Sequence, residues 1–599
     1  MSHGGDLIAR VLQRHGVTTL FTLCGGHISP ILVGAKALGI RIVDTRHEVD
    51  AVFAADATAR LTGIPGVAAV TAGPGLTNTI TAIKNAQMAQ SPVILLGGAT
   101  ATVLKGRGSL QDIDQQALMA PHVKWQGSAR RVRELVPLLE TAFAMACEGL
   151  PGPVFLECPV DLLYPEETTR EWYGVVEKPG AKKPSFSKRL ELMYLRNHLR
   201  KAFSKGGDFR GASDPVETES TSAAKDGGAT GGRSLAGLSP SAGSLRRAVR
   251  ALARADRPLV LVGSQTMLHA RPAAALRAAL EQLGAPVYLS GMARGLLGGA
   301  HPLLRRHKRR EALREADCVV LLGVPADFRL DYGRHIRRDA TLISANRSAE
   351  DLDKNRRPQI AALADPALFL EELAERASGL HSRWNDWLQI LRERDLERES
   401  EIAAQVQETP AEGLNPLRLL RDLDDFLADD AVLVADGGDF VGTASYVVRA
   451  RGPLGWLDPG VFGTLGVGGG FALGAKLARP DSEVWILYGD GSVAYSLMEF
   501  DTFARHRVPV IALVGNDASW AQIARDQIAV LGDDVGTVLA STDYELAAEA
   551  LGGKGLSIDH PDEIVPAFEQ ARVWAKAGHP VLLNARLARS EFRKGSISL

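Results

Sequence analysis

Apolar residues along this chain gather into short runs separated by longer stretches with helical spacing. From residue 1 to about 165 the runs are TTLFTLC, RIVDT, GVAAVTA, PVILLGG and PVFLEC. Strand-length runs that alternate with helices predict a parallel sheet covered on both faces. The same rhythm returns over residues 413–599 in AVLVADGG, EVWILYGDG, VPVIALVGND and HPVLLNARL, and over 244–377 in RPLVLVGSQ, APVYLSGM, DCVVLLGV and TLISAN. The expected fold is therefore α/β, with three doubly wound parallel-sheet domains at 1–165, 244–377 and 413–599. The intervals 166–243 and 378–412 are expected to connect them.

The first connection breaks the rhythm. RLELMYLRNHLRKAF carries Leu192, Leu195 and Leu199 at helical spacing among basic residues. It reads as a helix packed on its own protein or as one that docks on a membrane surface or partner, and the packed reading is preferred because one short amphipathic stretch carries little weight. Residues 205–243 are rich in Gly, Ser, Ala and Thr, with almost no large apolar side chain to offset the entropy of ordering, so a mobile linker is expected there.

Composition narrows the class further. A chain of 599 residues is too long for one core, and 23% charged with 45% apolar residues describes a soluble globular protein. The net charge of −1 points to no nucleic-acid partner, and the basic run Arg305-Arg306-His307-Lys308-Arg309-Arg310 is read as solvated helix surface that one anionic ligand could use locally. Four cysteines, Cys24, Cys147, Cys158 and Cys318, are scattered without C-x-x-C pairs, which argues against a disulfide framework or structural zinc and suits a reducing compartment. No apolar run approaches the roughly 18–20 residues of a membrane span, and MSHGGDLIARVLQRHG reads as an amphipathic helix rather than a signal peptide. A cytoplasmic location is expected.

The densest chemical signal is WILYGDGSVAYSLMEFDTFARHRVPVIALVGNDASW, from Trp485 to Trp520. Gly489-Asp490-Gly491 follows one apolar strand, and Asn516-Asp517 follows the next. Carboxylates at the ends of neighbouring strands, with a glycine turn opening a helix, make an oxygen cage for a divalent cation and a diphosphate. Mg²⁺ suits such a cage because it takes a few protein oxygens and shares the rest with phosphate. The glycines let the backbone approach the anion, and the helix start offers N–H donors. The tripeptide alone would be an ordinary strand-to-helix turn; the whole pattern is much more specific.

That pattern resembles the signature of thiamine-diphosphate enzymes. The resemblance implies that Asp490, the Asp517 side chain and the Ser519 carbonyl ligate Mg²⁺, with Gly489, Gly491, Ser492 and Asn516 around the diphosphate. The family usually carries Asn where this chain has Asp517, and a carboxylate keeps the ligand. Gly463-Thr464-Leu465-Gly466 is similar to the family's G-T-M-G turn, so the Gly463 carbonyl would accept from the cofactor's 4′-amino group and Leu465 would wedge the cofactor into its bent form. Gly437-Gly438-Asp439-Phe440 matches the loop that touches the diphosphate; Asp439 is an awkward neighbour for phosphate and is open to facing outward. In the first domain Arg46-His47-Glu48 resembles the family's H-E motif, and Glu48 would be the acid that activates the aminopyrimidine ring. Such an acid stands at a strand end opening into a helix, where α/β folds place ligand-facing residues. In this family the acid and the diphosphate cage come from different subunits, which implies a homodimer or homotetramer with active sites at subunit interfaces.

Two loops bear on the substrate. Phe21-Thr22-Leu23-Cys24-Gly25-Gly26-His27-Ile28 and Gly108-Ser109-Leu110-Gln111-Asp112-Ile113-Asp114-Gln115 resemble their counterparts in benzaldehyde lyase and in 2-hydroxyacyl-CoA lyases. His27 would exchange a proton with the substrate hydroxyl, which an imidazole with an ordinary pKa of about 6.5 suits, and Gln111 would orient a substrate oxygen. A lone His is otherwise most often a surface or core residue. In the central domain Gly323-Val324-Pro325-Ala326-Asp327-Phe328-Arg329 is similar to a turn of CoA-handling relatives, with Pro325 in place of their Arg. Asn346 stands where acetolactate synthases carry Asp, which weakens a flavin-dependent synthase reading. Arg309 is either a partner for a CoA phosphate or an exposed helical Arg. The implied reaction is cleavage of a 2-hydroxyacyl-CoA thioester to formyl-CoA and an aldehyde, reversible as an acyloin-type condensation. The alternative is a benzaldehyde-lyase-like or acetolactate-synthase-like carboligase acting on aldehydes or 2-keto acids; a non-catalytic scaffold would have lost Glu48, Asp490 or Asp517.

Overall fold

The computed structural model describes residues 3–176, 185–204, 238–268 and 272–595. Most of the expected mobile linker, residues 205–237, lies outside the described residues. The chain divides into two compact units, Met1–Gly227 and Gly228–Leu599.

The first unit is built on six parallel strands: β1 (Thr19–Leu23), β2 (Arg41–Asp44), β3 (Gly66–Val70), β4 (Val93–Ala99), β5 (Trp125–Ser128) and β6 (Val154–Pro159). Their order is β2-β1-β3-β4-β6-β5. Strands β3, β4 and β6 are buried at every position, as continuous apolar runs covered on both faces must be. The helix Glu48–Thr62 lies against the sheet through Ala51, Ala54, Ala55 and Ala57. Its approach is so close that a Cβ on Gly66 would fall 1.8 Å from the Ala55 carbonyl. His47 caps this helix by accepting from Val49 N at 3.1 Å, and Gly63 ends it at φ 72°. The amphipathic stretch forms the helix Phe186–Ala202 and buries Leu199 and Ala202. His198 Nε2 sits 2.7 Å from Thr102 Oγ1, which also donates to Asp161 Oδ2 at 2.6 Å, so the helix packs on its own domain.

The second unit contains two sheets. The central one comprises β7 (Pro258–Val262), β8 (Val287–Leu289), β9 (Leu304–Arg305), β10 (Cys318–Leu322), β11 (Thr341–Asn346) and β12 (Ile360–Leu363), ordered β12-β11-β10-β7-β8-β9. The last comprises β13 (Val432–Asp436), β14 (Trp456–Leu457), β15 (Val484–Gly489), β16 (Ile511–Asn516), β17 (Lys554–Ile558) and β18 (Val581–Arg586), ordered β14-β13-β15-β16-β18-β17. All pairings in the three sheets are parallel. The architecture is thus three α/β layers, as the apolar rhythm predicts. Much of the interval 378–412 is the 22-residue helix Asn385–Val406. Trp384 and Trp387 pin its start by donating their indole N–H groups to the carbonyls of Ala255 and Pro258, each at 3.0 Å. Among the described residues no helix is long and apolar enough to cross a membrane.

Candidate active site

In a doubly wound sheet, ligands gather beyond the carboxyl ends of the strands. In the first unit those ends bring Glu48, His27 and Gln111 into one neighbourhood through shared partners. Glu48 is buried and Asn78 Nδ2 donates to its Oε2 at 2.9 Å. A Cβ on Gly75 would lie 3.5 Å from Glu48 Oε1 and 2.7 Å from Thr71 Cγ2, so the tight turn after β3 is shaped around the acid. Thr71 then leads to His27, whose Nδ1 lies 3.1 Å from Thr71 Oγ1. A hydroxyl can donate or accept there, which leaves Nε2 as the ring nitrogen for another partner. Burial pushes the His27 imidazole below its ordinary value, so the neutral form is favoured near neutrality.

Gln111 is held in the left-handed region at φ 63°, a sparsely populated conformation for a non-glycine residue. Its backbone and Cβ crowd Gly73, where an added Cβ would meet Gln111 Cβ at 2.9 Å. The buried hub beneath this contact is Gln115, the last residue of the same loop. Gln115 Oε1 accepts from Gly73 N at 3.0 Å, while its Nε2 donates to the Gly98 carbonyl at 3.1 Å and to Glu157 Oε1 at 3.2 Å. Lys105 and Ser128 donate to Glu157 Oε2 at 2.8 and 2.6 Å, anchoring the loop that carries Gln111. Asn78, Thr71 and Gln115 take their roles from contacts between distant segments, which the motifs that contain them do not specify.

The second unit holds the glycine turns and carboxylates of the last sheet. Gly437 follows β13 at φ 152°, and a Cβ there would come within 2.8 Å of Gly489 N, so the two turns touch through backbone alone. The helices Asp439–Val447 and Asp490–Ser496 both start here and present their N-termini. Ser492 Oγ donates to the carbonyls of Asp436 and Gly489 at 2.5 and 3.0 Å. Trp520 covers Gly491, where a Cβ would fall 2.4 Å from the indole ring. Gly438 is bordered by Gln522, whose Oε1 a Cβ would meet at 3.0 Å.

Asp490 is buried, and its two oxygens accept from Gly491 N at 2.8 Å and Ser519 N at 3.0 Å. Tyr544 OH donates to its carbonyl at 2.9 Å. Ala518, at φ 51°, turns the chain so that Asp517 and Ser519 both reach this corner. Burial raises the Asp490 carboxyl. Burial, then the charges of Asp490 and Asp439, push Asp517 up to about 7, with Arg589 offsetting part of it. Asp439 itself is paired with Arg525, which accounts for an acid beside a diphosphate loop. The crowding of Asp490 and Asp517 is the electrostatic signature of a place that a cation would relieve. Among the described residues no group of three or more His, Cys, Asp or Glu side chains is arranged to hold a metal.

The Asn516 side chain is bonded within the protein. Its Nδ2 donates to the Thr542 carbonyl and to Asn584 Oδ1, both at 3.1 Å, and its Oδ1 accepts from Ala518 N at 3.3 Å. Gly463 and Gly466 adopt φ 65° and 88°, and Leu465 between them is half-buried.

Three α/β domains, each on a parallel sheet, with glycine turns and crowded carboxylates at the strand ends of the last one, are the frame of an enzyme class that family comparison names. Residues 2–118, 245–373 and 436–585 match the N-terminal TPP binding, central and C-terminal TPP binding domains of the thiamine pyrophosphate enzymes. The chain belongs to that family and is a thiamine-diphosphate-dependent enzyme. It is 50% identical to a Danio rerio protein named 2-hydroxyacyl-CoA lyase 2, over 100% of this chain and 93% of that protein. Identity to the human protein of the same name is 49%, over 100% of this chain and 92% of that one. A Mycobacterium bovis protein named probable acetolactate synthase is 34% identical over 97% of this chain and 95% of its own length.

Proposed function

We propose that this enzyme cleaves the C1–C2 bond of a 2-hydroxyacyl-CoA, releasing formyl-CoA and an aldehyde shorter by one carbon, and that it runs the reverse condensation. The observation that carries the proposal is the His27 imidazole, kept neutral by burial and held by Thr71 in the neighbourhood of Gln111 and Glu48. Thiamine diphosphate, when bound, supplies the carbon nucleophile and the electron sink for this bond cleavage. His27 takes the C2 hydroxyl proton as the bond breaks, and Gln111 orients the hydroxyl or carbonyl oxygen. Glu48, steadied by Asn78, acts on the aminopyrimidine ring. The full-length similarity to proteins named 2-hydroxyacyl-CoA lyase 2 supports the choice of a CoA thioester over a 2-keto acid.

Mg²⁺ would be held by Asp490, Asp517 and the Ser519 carbonyl, and the crowded carboxylates fit that cation. For the CoA moiety, the second unit offers a cavity of about 550 Å³ lined by Arg294, Arg306, Arg309 and Arg329 with Tyr446. Burial lowers the guanidinium pKa values of Arg294, Arg306 and Arg309, while Arg306 pairs with Glu399 and Arg329 with Asp327. A CoA phosphate would bring a further anion beside Arg294 and Arg309. The protein would act in the cytoplasm as a homodimer or homotetramer, with the acid of one subunit completing the cofactor site of another. A screen of 2-hydroxyacyl-CoA thioesters against pyruvate and other 2-keto acids, with aldehyde and acyl-CoA detection, tests the proposal. Formyl-CoA and aldehyde from the thioesters support it; turnover of 2-keto acids alone overturns it.

A further inference from the structure

Asp436 has no role in the motifs above, yet three candidate cofactor segments meet on it. It ends β13 and is wholly buried. Its Oδ1 accepts from Gly466 N at 3.1 Å and its Oδ2 from Gly468 N at 2.8 Å. Its backbone carbonyl accepts from Ser492 Oγ at 2.5 Å. The next residue, Gly437, packs on Gly489. A wholly buried carboxylate is costly unless something needs it, and here both oxygens are spent on the turn that carries Gly463 and Leu465.

We propose that Asp436 is a positioning residue that preforms the Gly463–Gly466 turn and sets its height above the diphosphate cradle, so that the Gly463 carbonyl and the Leu465 side chain meet the aminopyrimidine end of thiamine diphosphate. The proposal rests on the assignment of that turn to the cofactor. Gly466, at φ 88°, opens the helix Val467–Ala478, and no side chain of its own caps the first N–H groups of that helix. Asp436 supplies the missing acceptor from a neighbouring strand, and being bidentate it controls both the position and the tilt of the turn. The Ser492 arm links the same residue to the Gly489-Asp490-Gly491 turn, so the two ends of the cofactor are gauged from one point.

Asp436→Asn keeps the size but places an amide N–H against one backbone N–H, which breaks one of the two bonds. The variant, with its thermal melt recorded, is compared with wild type by titration calorimetry with thiamine diphosphate and Mg²⁺, and by acid-quenched NMR of C2–H deuterium exchange on the bound cofactor. The expected result is at least a tenfold slower C2 exchange in the folded, cofactor-saturated protein, with weakened cofactor affinity. Exchange at the wild-type rate in the saturated variant overturns the proposal. Leu465→Ala separates the two assumptions: if it slows exchange while Asp436→Asn does not, Asp436 is wrongly placed, and if neither changes it the turn itself is wrongly assigned. Should Asp436→Asn fail to fold, amide exchange in wild type still decides. Gly466 and Gly468 amides protected in the cofactor-free protein as well as those of β13 support a preformed turn, and fast exchange there contradicts it.

Discussion

Two sheets in the second unit share a strand grammar and differ at the crevice where that grammar places ligands. At the carboxyl ends of β7 and β10 the loops close on each other: a Cβ on Gly263 would meet the Gly323 carbonyl at 2.5 Å, and one on Gly323 would meet Gln265 Cβ at 2.6 Å. The Gln265 amide fills the space, donating to Asn346 Oδ1 at 2.8 Å and accepting from Arg347 N at 2.9 Å. Arg347 in turn pairs with Asp365 at 2.7 Å. At the ends of β13, β15 and β16 the glycines are followed by Asp439, Asp490 and Asp517, whose mutual charge is only partly met by Arg525 and Arg589. Neutral amides bonded to one another close a crevice as structure, whereas carboxylates whose mutual charge is only partly met leave a crevice that a cation would relieve.

Breaking the open side should have the largest effect. Asp490→Ala removes the central carboxylate and is expected to abolish turnover beyond about 10⁴-fold while nearly eliminating Mg²⁺-dependent binding of thiamine diphosphate, measured by calorimetry. Glu48→Gln should lower kcat by roughly 10³-fold with cofactor affinity nearly intact, because the acid acts on the ring rather than on the diphosphate.

His27→Ala should cost about 10²-fold in kcat and also change the pH profile. Burial lowers this imidazole, so the neutral base persists below its ordinary range, and wild-type kcat should fall only as acid protonates it at a pH under about 6.5. The variant should lose that limb. The sign for folding is the same: the unfolded chain binds the proton more readily, so acidification below the ordinary value withdraws stability until the folded group titrates too.

The closed side should answer differently. Gln265→Ala leaves Asn346 and Arg347 N short of partners, for a loss of about 1–3 kcal/mol in a chemical melt. Cofactor affinity and kcat should stay within about twofold, since the Gln265 amide bonds Asn346 and Arg347 and shares no hydrogen-bond partner with the last sheet. A large loss of thiamine diphosphate binding would erase the distinction between the two crevices.

The layers were legible because strands buried on both faces have to be continuous apolar runs, and β4, β6 and β16 are buried throughout. Asp490 and Asp517 were legible because a strand, a glycine turn and a carboxylate lie within one short segment. Asp436 was not, because the amides it accepts from lie 30 and 32 residues away, on a helix start that only the fold brings to it. Asn78, Thr71 and Gln115 were hidden for the same reason. The bonding of Asn516 was also illegible: its amide bonds Asn584, 68 residues on, on the neighbouring strand β18. The helix Asn385–Val406 was passed over as a connection, although Trp384, Trp387 and Leu391 recur at helical spacing and all three are buried.

The most direct test of the proposed reaction follows one carbon. The purified enzyme with thiamine diphosphate and Mg²⁺ is given a 2-hydroxyacyl-CoA labelled with ¹³C at the thioester carbonyl, and the products are resolved by mass spectrometry. The label should appear wholly in formyl-CoA, with an equal amount of unlabelled aldehyde. Label released as CO₂, label retained in the longer carbon chain, or turnover of pyruvate with none of the thioester would contradict the account.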